Sequence, residues 1–255
     1  MNNQEEYSNP LLYDLENNRV PEFSFIQEWA EVKQGPILDL ACGTGRITIP
    51  LAEQGFKVTG VDINEGMLTR AKEKAKEKGV SINFIHQDCT QLDLDETFPL
   101  VLLIDSAFQH FLTNESQEQL LRSVTNALTS DGIFIFDSRF PCAKELLSPS
   151  TLSYKKTLRD HEGREYDLFH QEEYNTLTQV QHHKVVRRYK DTDGQVEEHI
   201  SHIDLRYTYP QEMVRLLRLT GLEPINVFSG WNNNAIQPQS KWMVYVCRKV
   251  QQKTF

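Results

Sequence analysis

The chain has 255 residues, with 27 Lys and Arg against 36 Asp and Glu, a formal charge of −9 and 39% hydrophobic residues, which is ordinary globular composition. An acidic chain lacks the general attraction to phosphates that carries non-specific nucleic-acid binding. No apolar run nears the roughly 20 residues that span a bilayer, so neither nucleic acid nor membrane is expected as a partner. The start, MNNQEEYSNP, has no basic and apolar leader pattern. Cys42, Cys89, Cys142 and Cys247 form no CxxC pair. A reduced, cytoplasmic protein is expected.

In chain order, Tyr7 and Tyr13 come first, ahead of an alternating region from about residue 20 to 140. Strands are predicted at Ile37–Ala41, Lys57–Val61, Ile82–His86, Leu100–Ile104 and Ile133–Asp137. Helices are predicted near Arg46–Gln54, Glu65–Lys78 and Glu115–Thr129. Asn64 is placed to cap the second of these helices, Gly79 follows its last turn, and Asn114 with Gln117 has capping-box spacing. Apolar runs such as LVLLI and IFIF suit a sheet buried on both faces. Strand–helix alternation implies right-handed βαβ units and a parallel sheet.

From about 151 to 209 the pattern becomes β-rich. Strands are predicted at Leu152–Arg159, Tyr166–Asn175, Thr178–Tyr189 and Val196–Tyr209, with turn residues at Asp160–Gly163 and Asp191–Gly194. Short turns make such strands antiparallel. A helix from Pro210 to about Thr220, ended by Gly221, and strands near Pro224–Phe228 and Trp242–Arg248 close the chain. The predicted class is α/β: a Rossmann-like, seven-stranded, mostly parallel sheet with helices on both faces, plus an inserted antiparallel β meander. The predicted division is residues 1–150 with 210–255 as one domain and 151–209 as the insertion.

The most informative stretch is ILDLACGTGRI, Ile37 to Ile47. A buried strand runs into a glycine turn that opens a helix. Gly43 and Gly45 let a ligand approach the backbone, and the helix N-terminus offers free N–H groups. Asp62 closes the next strand, where an acid accepts hydrogen bonds from ribose hydroxyls in nucleotide-binding α/β folds. A dinucleotide fingerprint wants a third Gly or Ala. Thr48 stands at that position and disfavours NAD or FAD.

The run DLACGTG, Asp39 to Gly45, resembles motif I of class I S-adenosylmethionine (SAM)-dependent methyltransferases of the small-molecule type. Later runs are similar in order and spacing: VTGVD (58–62), IHQDC (85–89), LVLLID (100–105) and LTSDGIFIFD (128–137). The resemblance implies SAM as cofactor and S-adenosylhomocysteine as product. It implies that Asp39, Ala41 and the Gly43–Gly45 backbone hold the methionine portion, helped by Thr44 or Arg46. Asp62 would take the ribose hydroxyls, Ile63 and Met67 the adenine faces, and Asp88 and the Cys89 N–H the adenine edge. Asp105 and Ser106 would line the methionine end. Taken singly, Asp88 and Asp105 are as well explained by turns or caps, and Ile63 and Met67 by core packing.

Methyl transfer from a sulfonium mainly needs proximity and orientation, with a base only where the acceptor must lose a proton. His110, after the fourth strand, is the catalytic candidate. Gln109, Trp231 and the two tyrosines, Tyr7 and Tyr13, are the substrate-side candidates, the tyrosines as a lid. A structural histidine explains His110 as well, packing the tyrosines, and a turn before the last strand Trp231. His182, His183, His199 and His202 alternate in strand parity, so no metal site is expected. Lys184 to Lys190, KVVRRYK, is either a solvated strand face or a contact for an anionic substrate. The expected acceptor is a small molecule at O or N, and the insertion is expected to cover the crevice or to join a homodimer. Rival readings are an NAD(P)-dependent oxidoreductase and a SAM-binding protein without transferase activity.

Overall fold

In the computed structural model, residues 3–147, 150–191 and 193–250 are described. Seven strands form one sheet: β1 (Ile37–Leu40), β2 (Val58–Asp62), β3 (Asn83–His86), β4 (Phe98–Leu103), β5 (Leu128–Arg139), β10 (Leu222–Phe228) and β11 (Trp242–Lys249). Their order is β10-β11-β5-β4-β1-β2-β3. β3, β2, β1, β4 and β5 are parallel, while β11 runs antiparallel to both β5 and β10. The chain starts in the middle at β1, goes outward to β3, then returns to β4. That reversal puts a crevice at the carboxyl ends of β1 and β4, where open α/β sheets bind ligands.

Strand periodicity decides which residues meet which helix. On one face Leu38, Leu40, Val101, Leu103, Phe134 and Phe136 share a core with Leu120, Leu121 and Val124 of α5 (Asn114–Ala127) and with Met213 and Leu217 of α7 (Pro210–Leu219). On the other, Ile37, Leu100, Leu102, Ile133 and Ile135 pack with Phe25, Ile26 and Ala30 of α2 (Phe23–Lys33) and Leu51 of α3 (Thr48–Glu53). α4 (Glu65–Glu77) is capped by Asn64, whose side chain accepts from the Met67 N–H at 3.0 Å. The α5 cap differs from expectation. Thr113, one residue earlier than Asn114, forms a reciprocal box with Ser116, because its extended backbone aims the hydroxyl at the Ser116 N–H. The N-terminal region adds α1 (Pro10–Glu16), capped by Asn9, and α2, neither predicted from pattern.

Between β5 and α7 lie a short helix α6 (Ala143–Leu146) and a second sheet of four antiparallel strands in sequence order: β6 (Ser153–Arg159), β7 (Glu165–Asn175), β8 (Val180–Lys190) and β9 (Val196–Arg206). Asp160 and Asp191 make their turns, each side-chain oxygen accepting from backbone N–H groups two and four residues on. The strands match the predicted meander to within three residues at each end. His182 and His183 face opposite sides: His182 bonds Asp204 at 2.7 Å in the open, while His183 is 7% exposed and its Nε2 has no partner.

Burial, with the nearby Arg139 charge, pushes the His183 imidazole down to about 4. Below the unfolded histidine value of about 6.5 the unfolded chain therefore takes up a proton that the folded chain refuses. Stability from this ring is full above that pH and falls as pH drops toward 4, by up to about 3 kcal/mol. Urea unfolding at neutral and mildly acid pH checks this. His183→Gln should show a shallower acid loss than the parent by about 2 kcal/mol.

Candidate functional site

The glycine turn after β1 is shaped by backbone conformation. Ala41, Gly43 and Gly45 have φ of 52°, 56° and 80°. A Cβ on Gly45 would sit 2.8 Å from Ile49 Cδ1, so this glycine lets the turn lie against α3. After β4, Asp105 and Ser106 also take positive φ, 62° and 59°. Three non-glycine residues in this costly region at two neighbouring strand ends mark a site that the surrounding structure enforces. Asp137, near the carboxyl end of β5, does part of that: it accepts from the Ser106 N–H and hydroxyl, each at 3.0 Å. Burial pushes the Asp137 carboxyl up to about 7.

Asp62 ends β2 beside the turn. One oxygen accepts the Gly43 N–H and the other the Asn64 N–H, both at 2.8 Å. It thereby ties the glycine turn to the start of α4. Burial pushes its carboxyl up, against the pull of those N–H groups. The Ile63 N–H also acts on it, so three backbone donors use most, but not all, of the carboxylate's acceptor capacity.

These residues open onto a cavity of about 520 Å³. Of the predicted residues it is lined by Ala41, Gly43, Asp62, Ile63 and Met67, then by Asp88 and Cys89 at one end and Asp105, Tyr7, Tyr13 and His110 at the other. Asp88 forms an Asx turn, accepting from the Thr90 N–H and hydroxyl at 2.8 Å with one oxygen and leaving the second free. A second cavity of about 590 Å³ is lined by Arg46, Trp231, Asp137, Trp242 and, on β6, Lys156. Asp105 lines both, so the two spaces adjoin there.

Other predicted residues sit off the first cavity. Thr44 donates to Asp14 at 2.6 Å, and Arg46 pairs with Glu22 at 2.5 Å and Asp105 at 3.4 Å. Asp39 is buried in β1, one oxygen bonded by Thr48 at 2.6 Å, the other without a partner, and burial pushes it up to about 7. Gln109 is fully buried and donates to the Arg206 carbonyl at 3.3 Å. Trp231 packs edge-on against Phe25 at 5.6 Å.

The N-terminal segment lies over the first cavity, held from two sides. From the core, Tyr13 donates to Asp105 at 3.2 Å, and Asp14 meets Arg70 at 3.0 Å and Lys74 at 2.7 Å. From the second sheet, Arg187, 3% exposed, binds Glu6, Glu16 and Ser201. The basic run on β8 thus turns Arg187 inward, while Arg188 pairs with Glu198 on its open side. Asn3 bonds both backbone groups of Asp204 and also reaches His110.

His110 differs from a free base. Its Nδ1 meets the Asn3 amide at 2.8 Å and its Nε2 meets the Tyr7 hydroxyl at 2.9 Å. Both nitrogens are engaged, and burial pushes the imidazole down to about 4, so it is neutral at pH 7. Sequence reasoning missed Asn3, Asn64 and Thr90 as wall residues and Asp137 as the brace of the β4 turn. Of these, only Asp137 carried a signal, an acid closing the IFIFD strand.

The sheet order and layering are those of the Rossmann-like methyltransferase fold. Residues 37–132 match the methyltransferase-domain family. A SAM-dependent methyltransferase from Clostridium acetobutylicum superposes with a TM-score of 0.81 at 19% identity, over 94% of this chain and 97% of that one. SAM-bound CalS10, an amino pentose methyltransferase from Micromonospora echinaspora, gives 0.75 at 17% identity, over 94% and 95%. By sequence, a glycine/sarcosine N-methyltransferase of Aphanothece halophytica is 34% identical over 117 residues, 45% of this chain and 44% of its own length. The chain spans less than half the length of curated relatives matched at 34% to 38% identity.

Proposed function

We propose that this protein binds SAM in the cavity over the glycine turn and transfers its methyl group to an O or N atom of a small molecule, releasing S-adenosylhomocysteine. The observation that carries this is Asp62: it stands at the cavity wall, its carboxylate held by backbone N–H groups to the glycine turn and to the start of α4, with acceptor capacity left over. Ribose hydroxyls suit that capacity. The free oxygen of Asp88 suits the exocyclic amine of adenine, and Met67 and Ile63 supply apolar faces for the ring. The strained Ala41 and Asp105 backbones, both at the wall of this cavity, suit the polar end of the methionine portion. When bound, SAM supplies an electrophilic methyl group. The chain's own part is to bind, orient and exclude water.

The adjoining second cavity, walled by Asp137, Trp231 and Trp242, is the proposed acceptor side. Asp105, common to both cavities, sits where the reacting groups would meet. The inserted sheet, residues 151–209, then acts as cover, because β6 lines the acceptor side and β8 and β9 hold the N-terminal segment down. Its exposed β6 edge is the part that would carry a homodimer contact. The solved amino pentose methyltransferase aligns over 94% of this chain, which supports a small polar acceptor. No described helix is long and apolar enough to cross a membrane.

Incubation with methyl-labelled SAM and a panel of small amines, amino sugars and alcohols tests the proposal. A labelled acceptor with equimolar S-adenosylhomocysteine is expected. SAM binding with no labelled product from any acceptor would make the protein a binder without transferase activity.

A further inference from the structure

Asn3 has no freedom in how its amide is turned. Its carbonyl oxygen accepts the Asp204 N–H at 2.8 Å, and its NH₂ donates to the Asp204 carbonyl at 2.7 Å. Rotating the amide by half a turn would set oxygen against oxygen and N–H against N–H. The second proton of that NH₂ faces His110 Nδ1 at 2.8 Å. An amide NH₂ only donates, so Nδ1 must present a lone pair. A neutral imidazole carries one proton, so that proton is on Nε2. Nε2 lies 2.9 Å from the Tyr7 oxygen, so His110 donates and Tyr7 accepts. The phenol keeps its own proton, since burial and the nearby acids hold its ionisation well above the ordinary range. That proton is not used by His110, and Tyr7, Asn3 and His110 all line the first cavity.

We propose that Asn3 is a positioning residue: clamped on β9 of the inserted sheet, it fixes the His110 tautomer and so makes Tyr7 a hydrogen-bond donor toward the ligand in the cavity. The device gives a reason for a histidine at the cavity wall having both ring nitrogens engaged by neighbouring side chains. His110 orients the phenol, and the phenol meets the ligand. It also gives the inserted sheet a defined role in the site, because the clamp is made by the backbone of Asp204. The tautomer does not depend on what binds. The ligand contact rests on the SAM reading above.

The test uses full-length protein with ¹⁵N-histidine, the His110 signals being assigned by their loss in His110→Gln. Long-range ¹H–¹⁵N correlation reads which ring nitrogen carries the proton. In the parent, Nε2 should be protonated and Nδ1 bare. In Asn3→Asp, which cannot donate, the proton should move to Nδ1. In Asn3→Ala the two forms should mix. With S-adenosylhomocysteine as the probe, Asn3→Asp and Tyr7→Phe should each weaken binding about tenfold, and the double variant little further. A parent ring protonated on Nδ1 overturns the proposal, and so does an Asn3→Asp ring whose tautomer is unchanged. The parent measurement needs only His110→Gln, for the assignment, and neither Asn3 variant. If the parent shows the Nε2 tautomer yet binds no S-adenosylhomocysteine, the SAM reading fails while the tautomer clamp stands.

Discussion

Replacing Asp62 with alanine is expected to weaken binding of S-adenosylhomocysteine by about 1–3 kcal/mol, roughly 5- to 150-fold in Kd. Two losses add. The ribose hydroxyls lose their acceptors, and the Gly43 and Asn64 N–H groups, each held at 2.8 Å, lose theirs. The second loss loosens the glycine turn itself, because Gly43 at φ 56° is kept there partly by that bond. Asp62→Asn should fall between parent and alanine, since one of its two positions becomes a donor and must face an N–H or a hydroxyl wrongly. Calorimetric titration gives the Kd values, and a thermal melt of each free variant separates binding loss from unfolding. An unchanged Kd in Asp62→Ala would show that this residue does not hold the ligand's ribose.

The second large effect is on stability. Arg187 is buried at 3% exposure between Glu6 and Glu16, whose side chains are 15% and 11% exposed. Removing one partner of a buried pair costs about 3–5 kcal/mol, because the remaining charges stay desolvated without compensation. Glu6 and Glu16 keep some water, so Arg187→Ala should cost near the lower end, about 3 kcal/mol. For a chain of this size that is a fall in melting temperature of about 6–12 °C. The variant should also bind S-adenosylhomocysteine less tightly, because these pairs hold the segment that carries Tyr7 and Tyr13 over the cavity. Arg187→Met combined with Glu6→Gln and Glu16→Gln removes all three charges and should recover much of the stability. A loss under about 1 kcal/mol in Arg187→Ala would mean that the pairs are solvated and hold nothing.

The parts legible in the sequence are those built from neighbours in the chain. The continuous apolar runs LVLLI and IFIF declare buried strands because period and burial are local properties. The turn from Leu40 into the α3 region and the acid at 62 could be placed because a strand, a glycine turn and a helix follow one another within a few residues. The meander between β5 and α7 was visible for the same reason, since Asp160 and Asp191 mark its turns.

What could not be seen is held across long separations. Asn3 meets Asp204, and Glu6 and Glu16 meet Arg187, at separations of 201, 181 and 171 residues. Nothing in the composition of MNNQEEYSNP points at β8 or β9. From the sequence the basic stretch from Lys184 is either a solvated strand face or an anion contact, but strand alternation sends Arg187 inward and Arg188 outward, and only the packing of the sheet says which. The positive φ of Ala41, Asp105 and Ser106 carries no glycine to announce it. Thr44 and Ser106 lie within recognised motifs, yet their hydroxyls bond Asp14 and Asp137 away from the first cavity. For His110, position pointed to the cavity, but its hydrogen bonds to Asn3 and Tyr7, more than 100 residues away, had no local signal.

The most direct measurement is a binding titration of the full chain with S-adenosylhomocysteine, run in parallel with NADH. One S-adenosylhomocysteine per chain, with no binding of NADH, is the predicted result, because Asp62 and the glycine turn are matched by Thr48 rather than by the third small residue of a dinucleotide site. Tight NADH binding with no S-adenosylhomocysteine binding would contradict it.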